Sequence, residues 1–394
     1  MTALDDPAAR AWAYLSRVAE PPCAELAALV HRVGPVEAAD RVRRGLVEYD
    51  VARHTEARRG IDCAARDLEL LADRGGRLIT PGDAEWPVLA FAAFGDGGRT
   101  GVKAKPGGTP PMVLWARGPA RLDEVVQRAA ALVGTRASTA YGEQVTADLA
   151  DGLIERDVAV VSGGAYGIDG AAHRAALNGD GVTVAVLAGG LDIPYPAGHS
   201  TLLHRIGQHG LLFTEYPPGV RPARYRFLTR NRLVAAAAGA AVVVEAGLRS
   251  GAANTAAWAR ALGRVVGAVP GPVTSSASAG CHALLRNGAE LVTRADDIVE
   301  FVGRIGELAP EEPRPATAFD GLSEAESRVY EALPGRGAAT VDEIAIASGL
   351  VPEQVLGPLA TLELAGLVRG ENGMWRIVRK RGGRPAEAIR AGPR

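Results

Sequence analysis

Short apolar runs alternate with longer segments of helical spacing through the middle of this 394-residue chain. The runs are continuously apolar, which is typical of strands buried on both faces of a parallel sheet. Strands are predicted at 130–133, 158–161, 182–187, 211–213, 241–245 and 265–269. Helices are predicted between them at 141–156, 167–179, 198–209, 230–239 and 251–262. This alternation predicts an extended, doubly wound, Rossmann-like α/β fold with a mostly parallel sheet.

The segments on either side of this region predict smaller units. Residues 8–75 contain short amphipathic helices, a pattern similar to small sterile-alpha-motif or helix-hairpin-helix modules. The last helical stretches are followed by a hairpin, which is a winged-helix pattern. One stretch is rich in Gly and Pro, and a later one is rich in Pro and Glu. Both have the composition of linkers. The predicted units are a helical domain at 1–75, a linker and lead-in strand region at 76–111, the Rossmann-like domain at 112–305, a linker at 306–321, a winged-helix domain at 322–378 and a basic tail at 379–394.

Charge is balanced over the whole chain but uneven along it. The formal net charge is −1, so the protein as a whole does not attract a polyanion. Residues 219–232, however, contain five arginines and no acidic residue. Any affinity for nucleic acid must therefore come from a local basic patch near this segment.

Several classes of site find no support in the sequence. Cys23, Cys63 and Cys281 have neither disulfide-framework nor zinc-ligand spacing, so we expect no metal. Neither GxGxxG nor GxxxxGK[ST] occurs, so we expect no nucleotide cofactor. The acidic N-terminus has no signal region, and the apolar run Leu233–Val244 is too short to cross a bilayer. We therefore expect a cytoplasmic protein without a membrane partner.

Glycine-rich turns follow several of the predicted strands. They are VGTR (133–136), VVSGG (160–164) and EAGLRSG (245–251), and FLTRNR (227–232) lies at the start of a helical stretch. The carboxyl ends of parallel strands meet at one sheet edge, where turn N–H groups and helix N-termini bind anions. The candidates for phosphate contact are Arg136, Ser162, Gly163, Gly164, Arg230, Arg232 and Ser250. Together they favour a surface for several phosphates, with nucleic acid as the ligand.

Plainer interpretations of the same residues stay open. Any doubly wound sheet needs tight turns such as 160–169, and Ser250 is placed to be the N-cap of the following helix. Asp169 and His173 lie four residues apart on one predicted helix, and without a third ligand they form a structural pair. No nucleophile, base and orienting group can be assembled from spacing, so the sequence favours no enzyme.

The order of the motifs adds a family resemblance. VGTRASTAYG, VSGGAYGIDGAAHRAAL, FLTRNRLVAA and VVVEAGLRSG resemble, in order and spacing, the DprA/Smf family of bacterial DNA-processing proteins. The resemblance implies a homodimer that binds and protects incoming single-stranded DNA and loads RecA recombinase in natural transformation. It implies no nucleotide cofactor. The DNA site that it implies consists of Arg136, Ser162, Gly163, Phe227, Arg230, Asn231, Arg232, Arg249 and Ser250.

The chain departs from the family pattern at two places. Tyr166 stands where the family commonly has an arginine, and Leu228–Thr229 replaces a proline and a basic residue. Two phosphate contacts are therefore missing, although Tyr166 offers a ring for base stacking, a contact worth about 1–3 kcal/mol.

Two other functions remain as alternatives. Rossmann-like phosphoribohydrolases carry PGGxGTxxE, whereas SGGAYGIDGAAH here lacks the leading proline and the glutamate. A winged-helix transcriptional regulator needs a recognition helix that reads bases, but the segment Pro352–Ala365 has two glutamates and no Arg or Lys. We therefore expect the winged helix to contact protein or to regulate.

Overall fold

The computed structural model describes residues 6–95, 108–303 and 321–378. The chain divides into two compact units, Met1–Pro310 and Glu311–Arg394. The predicted basic tail and nearly all of the predicted linker at 306–321 lie outside the described residues. The predicted domain boundaries stay predictions.

A nine-stranded sheet forms the centre of the first unit. Its parallel strands are β3 (Ala129–Val133), β4 (Ala159–Ser162), β5 (Thr183–Val186), β6 (Leu211–Thr214), β7 (Ala240–Val243), β8 (Val265–Ala268) and β9 (Glu290–Leu291). Antiparallel strands β1 (Gly76–Ile79) and β2 (Leu114–Arg117) complete the edge beside β6. The order is β1-β2-β6-β5-β4-β3-β7-β8-β9. The predicted fold class is confirmed.

Helices cover both faces of this sheet. They are α6 (Val88–Ala92), α7 (Leu122–Val125), α8 (Ala140–Ile154), α9 (Ile168–Asn178), α10 (Ser200–His209), α11 (Arg224–Ala236), α12 (Gly251–Ala261), α13 (Ala279–Arg286) and α14 (Ala295–Val302). The predicted helix at 230–239 is wrong at its start, because α11 begins six residues earlier at Arg224. Three of the first seven residues of α11 are arginines, so hydrophobic spacing revealed only its second half.

Alternate residues of the central strand face separate cores. Ala129, Ala131 and Val133 belong to the core that includes α11 and α12, whereas Ala130 and Leu132 face the core of α8 and α9. Every residue of β3 is buried. Small and branched side chains thus let helices pack closely on both faces, as the apolar runs predicted.

Five helices precede the sheet: α1 (Pro7–Val18), α2 (Ala24–Val33), α3 (Pro35–Arg44), α4 (Tyr49–Thr55) and α5 (Ala64–Ala72). Their apolar residues share one core with Trp115 of β2 and Leu212 of β6. The N-terminal helices are therefore packed against the sheet and are part of the same compact unit.

The described part of the second unit, residues 321–378, has three helices and a small sheet. The helices are α15 (Glu324–Ala332), α16 (Val341–Ser348) and α17 (Pro352–Leu364), and the strands are β10 (Ala339–Thr340), β11 (Val368–Glu371) and β12 (Met374–Ile377). Ser323 and Thr340 cap α15 and α16 through capping boxes, as the sequence positions favour. The predicted winged helix is confirmed.

Across the ranges that the structure describes, no single helix has the length and apolar composition needed to cross a membrane. Only α16 and α17 taken together pass that test, and a bend of 103° separates them.

Candidate nucleic-acid interface

A cleft of about 770 Å³ opens at the carboxyl ends of the central strands. Strand β3 lies between β4 and β7, which is the point where the order of the strands reverses and where ligands bind in doubly wound sheets. The loops after β3, β4 and β7 and the first half of α11 line the cleft. Seven of the predicted site residues lie in this lining: Arg136, Gly163, Phe227, Arg230, Asn231, Arg249 and Ser250.

Three exposed arginines stand around this cleft. Arg136, Arg224 and Arg249 are all solvent-exposed and all belong to its lining. None of them has a carboxylate within ion-pair distance among the side chains that the structure describes. Their charges are therefore free to meet an anionic ligand. Arg224 was not predicted as a site residue, although it belongs to the basic stretch at 219–232.

Two aromatic rings follow one another beside Arg136. The guanidinium carbon of Arg136 lies 5.0 Å from the centre of the Phe227 ring, within cation–π range. The Phe227 ring in turn contacts Tyr195, with ring centroids 5.4 Å apart. Tyr195 follows β5 in a loop and was missed by the sequence analysis, because a single tyrosine between prolines gives no spacing signal.

Arg230 forms part of the floor of the cleft. It is buried, and its Nη1 donates hydrogen bonds to the carbonyl oxygens of Gly163, at 2.6 Å, and Val186. It therefore ties the ends of β4 and β5 together. Burial lowers the pKa of Arg230 to about 10, so the group stays charged at neutral pH. A Cβ at position 163 would collide with the buried guanidinium of Arg230, which explains the glycine there.

The N–H groups of the glycine turn after β4 are bound by a carboxylate of the protein itself. The backbone N–H groups of Gly163 and Ala165 donate to Oδ2 of Asp169 at 3.2 and 3.3 Å. Asp169 is buried, and burial raises its pKa while the charge of Arg230 opposes that rise. The prediction that Gly163 presents a bare N–H group to a phosphate is therefore wrong, because the protein's own carboxylate takes the anion's place. Gly164 is buried.

The loop after β3 is also bound by a carboxylate of the protein itself. Glu245, at the end of β7, accepts hydrogen bonds from the backbone N–H of Thr139 at 2.9 Å and from its hydroxyl at 2.8 Å. Glu245 is buried, and Thr139 is the N-cap of α8. The N-cap of α8 and the turn before α9 thus hold internal carboxylates, and these N–H groups are not open to a phosphate.

Ser162 and Arg232 are corrected as contact residues. Ser162 is completely buried, and its hydroxyl donates to the carbonyl oxygen of Leu132 at 2.7 Å. Arg232 is also completely buried, and Nη2 lies 2.5 Å from both carboxylate oxygens of Glu215. Successive residues of a helix are about 100° apart, so Arg230 and Arg232 point to nearly opposite sides of α11. Both sides are buried, which the sequence did not reveal.

Tyr166 lies outside the cleft lining. Its ring packs edge-to-face on His199 with centroids 4.7 Å apart, although 47% of the residue stays exposed. The predicted contribution of Tyr166 to base stacking in the cleft is therefore not supported by its placement.

Asn231 and Ser250 line the cleft where α11 meets the start of α12. The side-chain nitrogen of Asn231 donates to the carbonyl oxygen of Gly251 at 3.3 Å and to Asn254 at 3.2 Å, which joins α11 to the start of α12. Ser250 is the N-cap residue of α12 by position, but its hydroxyl makes no capping hydrogen bond. That buried hydroxyl has no hydrogen-bond partner among the described residues and lines the cleft.

Asp169 and His173 are structural but do not pair with each other. Nδ1 of His173 is hydrogen-bonded to the hydroxyl of Thr183 at 2.7 Å, whereas Asp169 accepts hydrogen bonds from the glycine turn. Complete burial lowers the pKa of His173 to about 3, so its ring is neutral. Asp169 belongs to the cleft lining with its carboxylate bound to the glycine turn, whereas His173 is not part of that lining.

Cys23 groups with Glu25 and His54 on the N-terminal helices. The three ligand atoms lie within 4.8 Å of one another, an arrangement that spacing along the chain did not predict. Burial raises the pKa of Cys23, so the thiol is protonated at neutral pH and donates to Glu25 at 3.7 Å. The group is a hydrogen-bonded cluster outside the cleft.

The fold and the cleft together define a class: a Rossmann-like protein with a basic, aromatic cleft at the switch point, joined to a winged helix. The family model described as DNA recombination-mediator protein A matches residues 77–303, and the DprA winged helix domain matches residues 310–374. The chain belongs to the DprA/Smf family, as the motifs suggested.

Individual relatives agree with this assignment. The chain is 78% identical to a putative DNA processing protein DprA of Mycobacterium tuberculosis over 381 residues, 97% of each chain. It is 40% identical to DNA processing protein DprA of Streptococcus pneumoniae over 189 residues, 48% of this chain and 66% of that one. The X-ray structure of the S. pneumoniae protein superposes with a TM-score of 0.58 at 29% identity, covering 73% of this chain and 95% of that chain.

Proposed function

We propose that this protein binds single-stranded DNA in the cleft and serves as a recombination mediator. The observation that carries this proposal is the set of exposed, unpaired arginines around the cleft, Arg136, Arg224 and Arg249, next to the Phe227 ring. Arginines bind the phosphates of any sequence, and aromatic rings stack on any base. This combination favours sequence-tolerant binding of a strand.

Single strands suit the cleft better than duplex. In a duplex the bases stack on one another, so their faces are not available to a protein ring. The Phe227 ring belongs to the lining of a cleft of about 770 Å³. We propose that splayed bases of a single strand reach it there. We propose that the exposed arginines guide the backbone past this cleft.

The mediator role rests on the family description, which names a DNA recombination mediator. We propose that the bound strand is protected and passed to RecA recombinase in the bacterial cytoplasm, and that the protein works as a homodimer. The winged helix would serve this role through protein contacts. Its exposed residues on α16 and α17 include Asp342, Glu343, Ile346, Glu353 and Leu364, an acidic and apolar surface that suits a protein partner better than DNA.

We propose no enzymatic step. In the cleft, Asp169 is bound to backbone N–H groups and faces Arg230, so it is not a free base. The turn that a phosphoribohydrolase would use for its phosphate holds this carboxylate instead. The enzyme alternative is therefore less well supported than strand binding.

Fluorescence anisotropy with a labelled oligo-dT, against a blunt duplex of the same length, tests the proposal. We expect selective strand binding whose log affinity falls against log salt by about 0.7 for each phosphate neutralised. RecA filament growth on strands coated with single-strand-binding protein should accelerate when the full-length protein is added. Tight binding to the duplex without binding to the single strand would contradict the proposal. If RecA filament growth is not accelerated, only the proposed loading role is contradicted.

A further inference from the structure

Three metal-ligating side chains of different types meet on the N-terminal helices. Cys23 is the residue before α2, Glu25 lies in the first turn of α2, and His54 lies near the end of α4. Their ligand atoms lie within 4.8 Å of one another. Among the residues that the structure describes, no other three His, Cys, Asp or Glu side chains bring their ligand atoms this close. The sequence predicted no metal because spacing along the chain does not reveal this group.

The distances within the group match the edges of a tetrahedral zinc site. Zinc lies about 2.3 Å from sulfur and about 2.0–2.2 Å from nitrogen or oxygen, so tetrahedral ligand atoms lie about 3.3–3.7 Å apart. Oε2 of Glu25 lies 3.7 Å from Sγ of Cys23 and 3.7 Å from Nε2 of His54. One carboxylate oxygen is thus already at ligand spacing from both of the other donor atoms.

We infer that Cys23, Glu25 and His54 form a Zn²⁺ site, with a water molecule as the fourth ligand. Thiolate, imidazole and carboxylate are all zinc ligands, whereas Mg²⁺ and Ca²⁺ prefer oxygen ligands alone. Zinc binds the thiolate, so the thiol proton passes to solvent as the bond between Sγ and the metal forms. The bound ion joins the start of α2 to α4.

The group is open to solvent on one side. Cys23 is buried, whereas the side chains of Glu25 and His54 are 36% and 38% exposed. The metal and its water ligand therefore enter from the side of His54. Nε2 of His54 accepts a hydrogen bond from Nε of Arg53 at 3.2 Å, so this nitrogen carries the lone pair that a metal needs. Arg53 is exposed, and its side chain can turn into solvent when the metal takes that lone pair.

A hydrogen-bonded cluster without a metal is the competing explanation. Cys23 is the N-cap residue of α2, but its side chain makes no capping hydrogen bond, and Sγ faces Glu25 instead. The seven-residue helix α4 also has no side-chain hydrogen bond at its N-cap. A metal between the two helices therefore adds a link that local capping does not supply.

Cys63 and His31 provide matched comparisons within the same helices. Cys63 is also the N-cap residue of a helix, α5, and also makes no capping hydrogen bond. His31 is an exposed histidine on α2. Neither belongs to a close group of three ligands among the described side chains. If cysteines and histidines bound zinc unspecifically, these two would contribute as much as Cys23 and His54.

The test uses the full-length protein without a polyhistidine tag, stripped of metal with a chelator. It is titrated with zinc chloride in competition with a chromophoric zinc indicator. We expect one tightly bound Zn²⁺ per chain. Cys23→Ser and His54→Ala should each weaken binding by at least about 100-fold, because loss of an outer-shell partner alone costs about 10- to 100-fold. Cys63→Ser and His31→Ala should bind zinc as the wild type does.

Cobalt gives a direct readout of the thiolate. Co²⁺ bound to the wild type and to Cys63→Ser should show a thiolate-to-cobalt charge-transfer band, which should be absent from Cys23→Ser. Zinc should also raise the melting temperature of the wild type but not that of His54→Ala. Because His54 is exposed, His54→Ala should fold even if substitution of the buried Cys23 does not leave a folded protein.

Three results would each overturn the zinc site. They are a wild type that binds no stoichiometric zinc, a His54→Ala variant that binds zinc equally well, and a wild-type cobalt complex without the thiolate band. The three ligands lie outside the cleft lining, so the outcome is independent of the proposed binding of single strands.

Discussion

Oδ2 of Asp169 accepts a hydrogen bond of 3.2 Å from the backbone N–H of Gly163, in the turn where the sequence pattern predicts a phosphate. In the neighbouring loop, the Glu245 carboxylate accepts hydrogen bonds from the backbone N–H and the hydroxyl of Thr139. Helix N-termini favour negative charge, and here the protein supplies that charge itself. The turns after β3 and β4 thus shape the sheet edge, and we expect the exposed side chains around the cleft to contact the ligand.

The exposed arginines should separate affinity from stability. Arg136→Ala and Arg249→Ala should each weaken binding to all single strands and reduce the salt slope by about 0.7, because each removes one phosphate contact. Their thermal melting should stay unchanged, since both side chains are exposed. Arg205→Ala is the control, an exposed arginine on α10 outside the cleft lining. If Arg205→Ala lowers affinity as much, binding is diffuse and the cleft is misplaced.

Arg232 should behave in the opposite way. Arg232→Ala should destabilise the fold by about 3–5 kcal/mol, because it leaves the buried Glu215 carboxylate without a partner. Chemical denaturation measures this loss. The double variant Arg232→Met with Glu215→Leu should recover part of it, since it removes both charges. A stable Arg232→Ala protein with weakened strand binding would return Arg232 to the DNA site.

Two serines at the sheet edge form a matched pair. Ser162→Ala removes the hydrogen bond to Leu132 and should cost about 1 kcal/mol of stability without changing DNA affinity. Ser250→Ala removes an unpartnered hydroxyl in the cleft and should lower affinity a few-fold without destabilising the protein. Denaturation and anisotropy on both variants give the four values needed. Swapped outcomes would contradict the positions assigned to these hydroxyls.

Glu20 should contribute to acid sensitivity. Burial raises its pKa, but hydrogen bonds and charges from Arg226 and Arg58 outweigh burial and hold it below the ordinary value of 4.5. A folded-state pKa below the unfolded one gives stability that is present above the unfolded pKa. This stability is lost as the pH falls through the folded pKa. Glu20→Gln should therefore be less stable at pH 7 by about 1–3 kcal/mol and should lose less below pH 4.5. Melting temperatures of both proteins from pH 7 to 3 test it, and parallel curves would contradict it.

The winged helix should be dispensable for strand binding. A protein that ends near Pro313 keeps the whole cleft, because every lining residue lies in the first compact unit. It also loses the basic residues of the tail, so a small loss at low salt is expected. A second truncation, after Val378, removes only the tail and measures how much of the affinity at low salt the tail contributes. Complete loss of binding with a folded first unit would favour the transcription-regulator alternative.

The sequence predicted the sheet well because β3, β4, β5 and β7 are buried over their whole length. Continuous burial leaves a signal that local pattern can detect. The cleft was located for the same reason, since chain order places its loops at one edge.

The individual contacts were harder to predict. Pattern analysis shows that α11 is a helix, but it cannot show that Arg230 and Arg232 both face buried partners. Those partners are the ends of β4 and β5 and the Glu215 carboxylate, which come from distant parts of the chain. Likewise, Tyr195 and Tyr166 are indistinguishable by type, and only the loop geometry separates them.

The pair of Glu20 and Arg226 has a consequence for how the cleft keeps its shape. Arg226 donates to Glu20 at 2.6 and 2.9 Å, and the next residue along α11 is Phe227. The aromatic part of the cleft is thus anchored to the end of α1, some two hundred residues earlier in the chain. A shortened protein that begins after the N-terminal helices would keep every lining residue and yet lose this anchor. The segment after α1 thus helps to fix the position of Phe227 through the residue that precedes it.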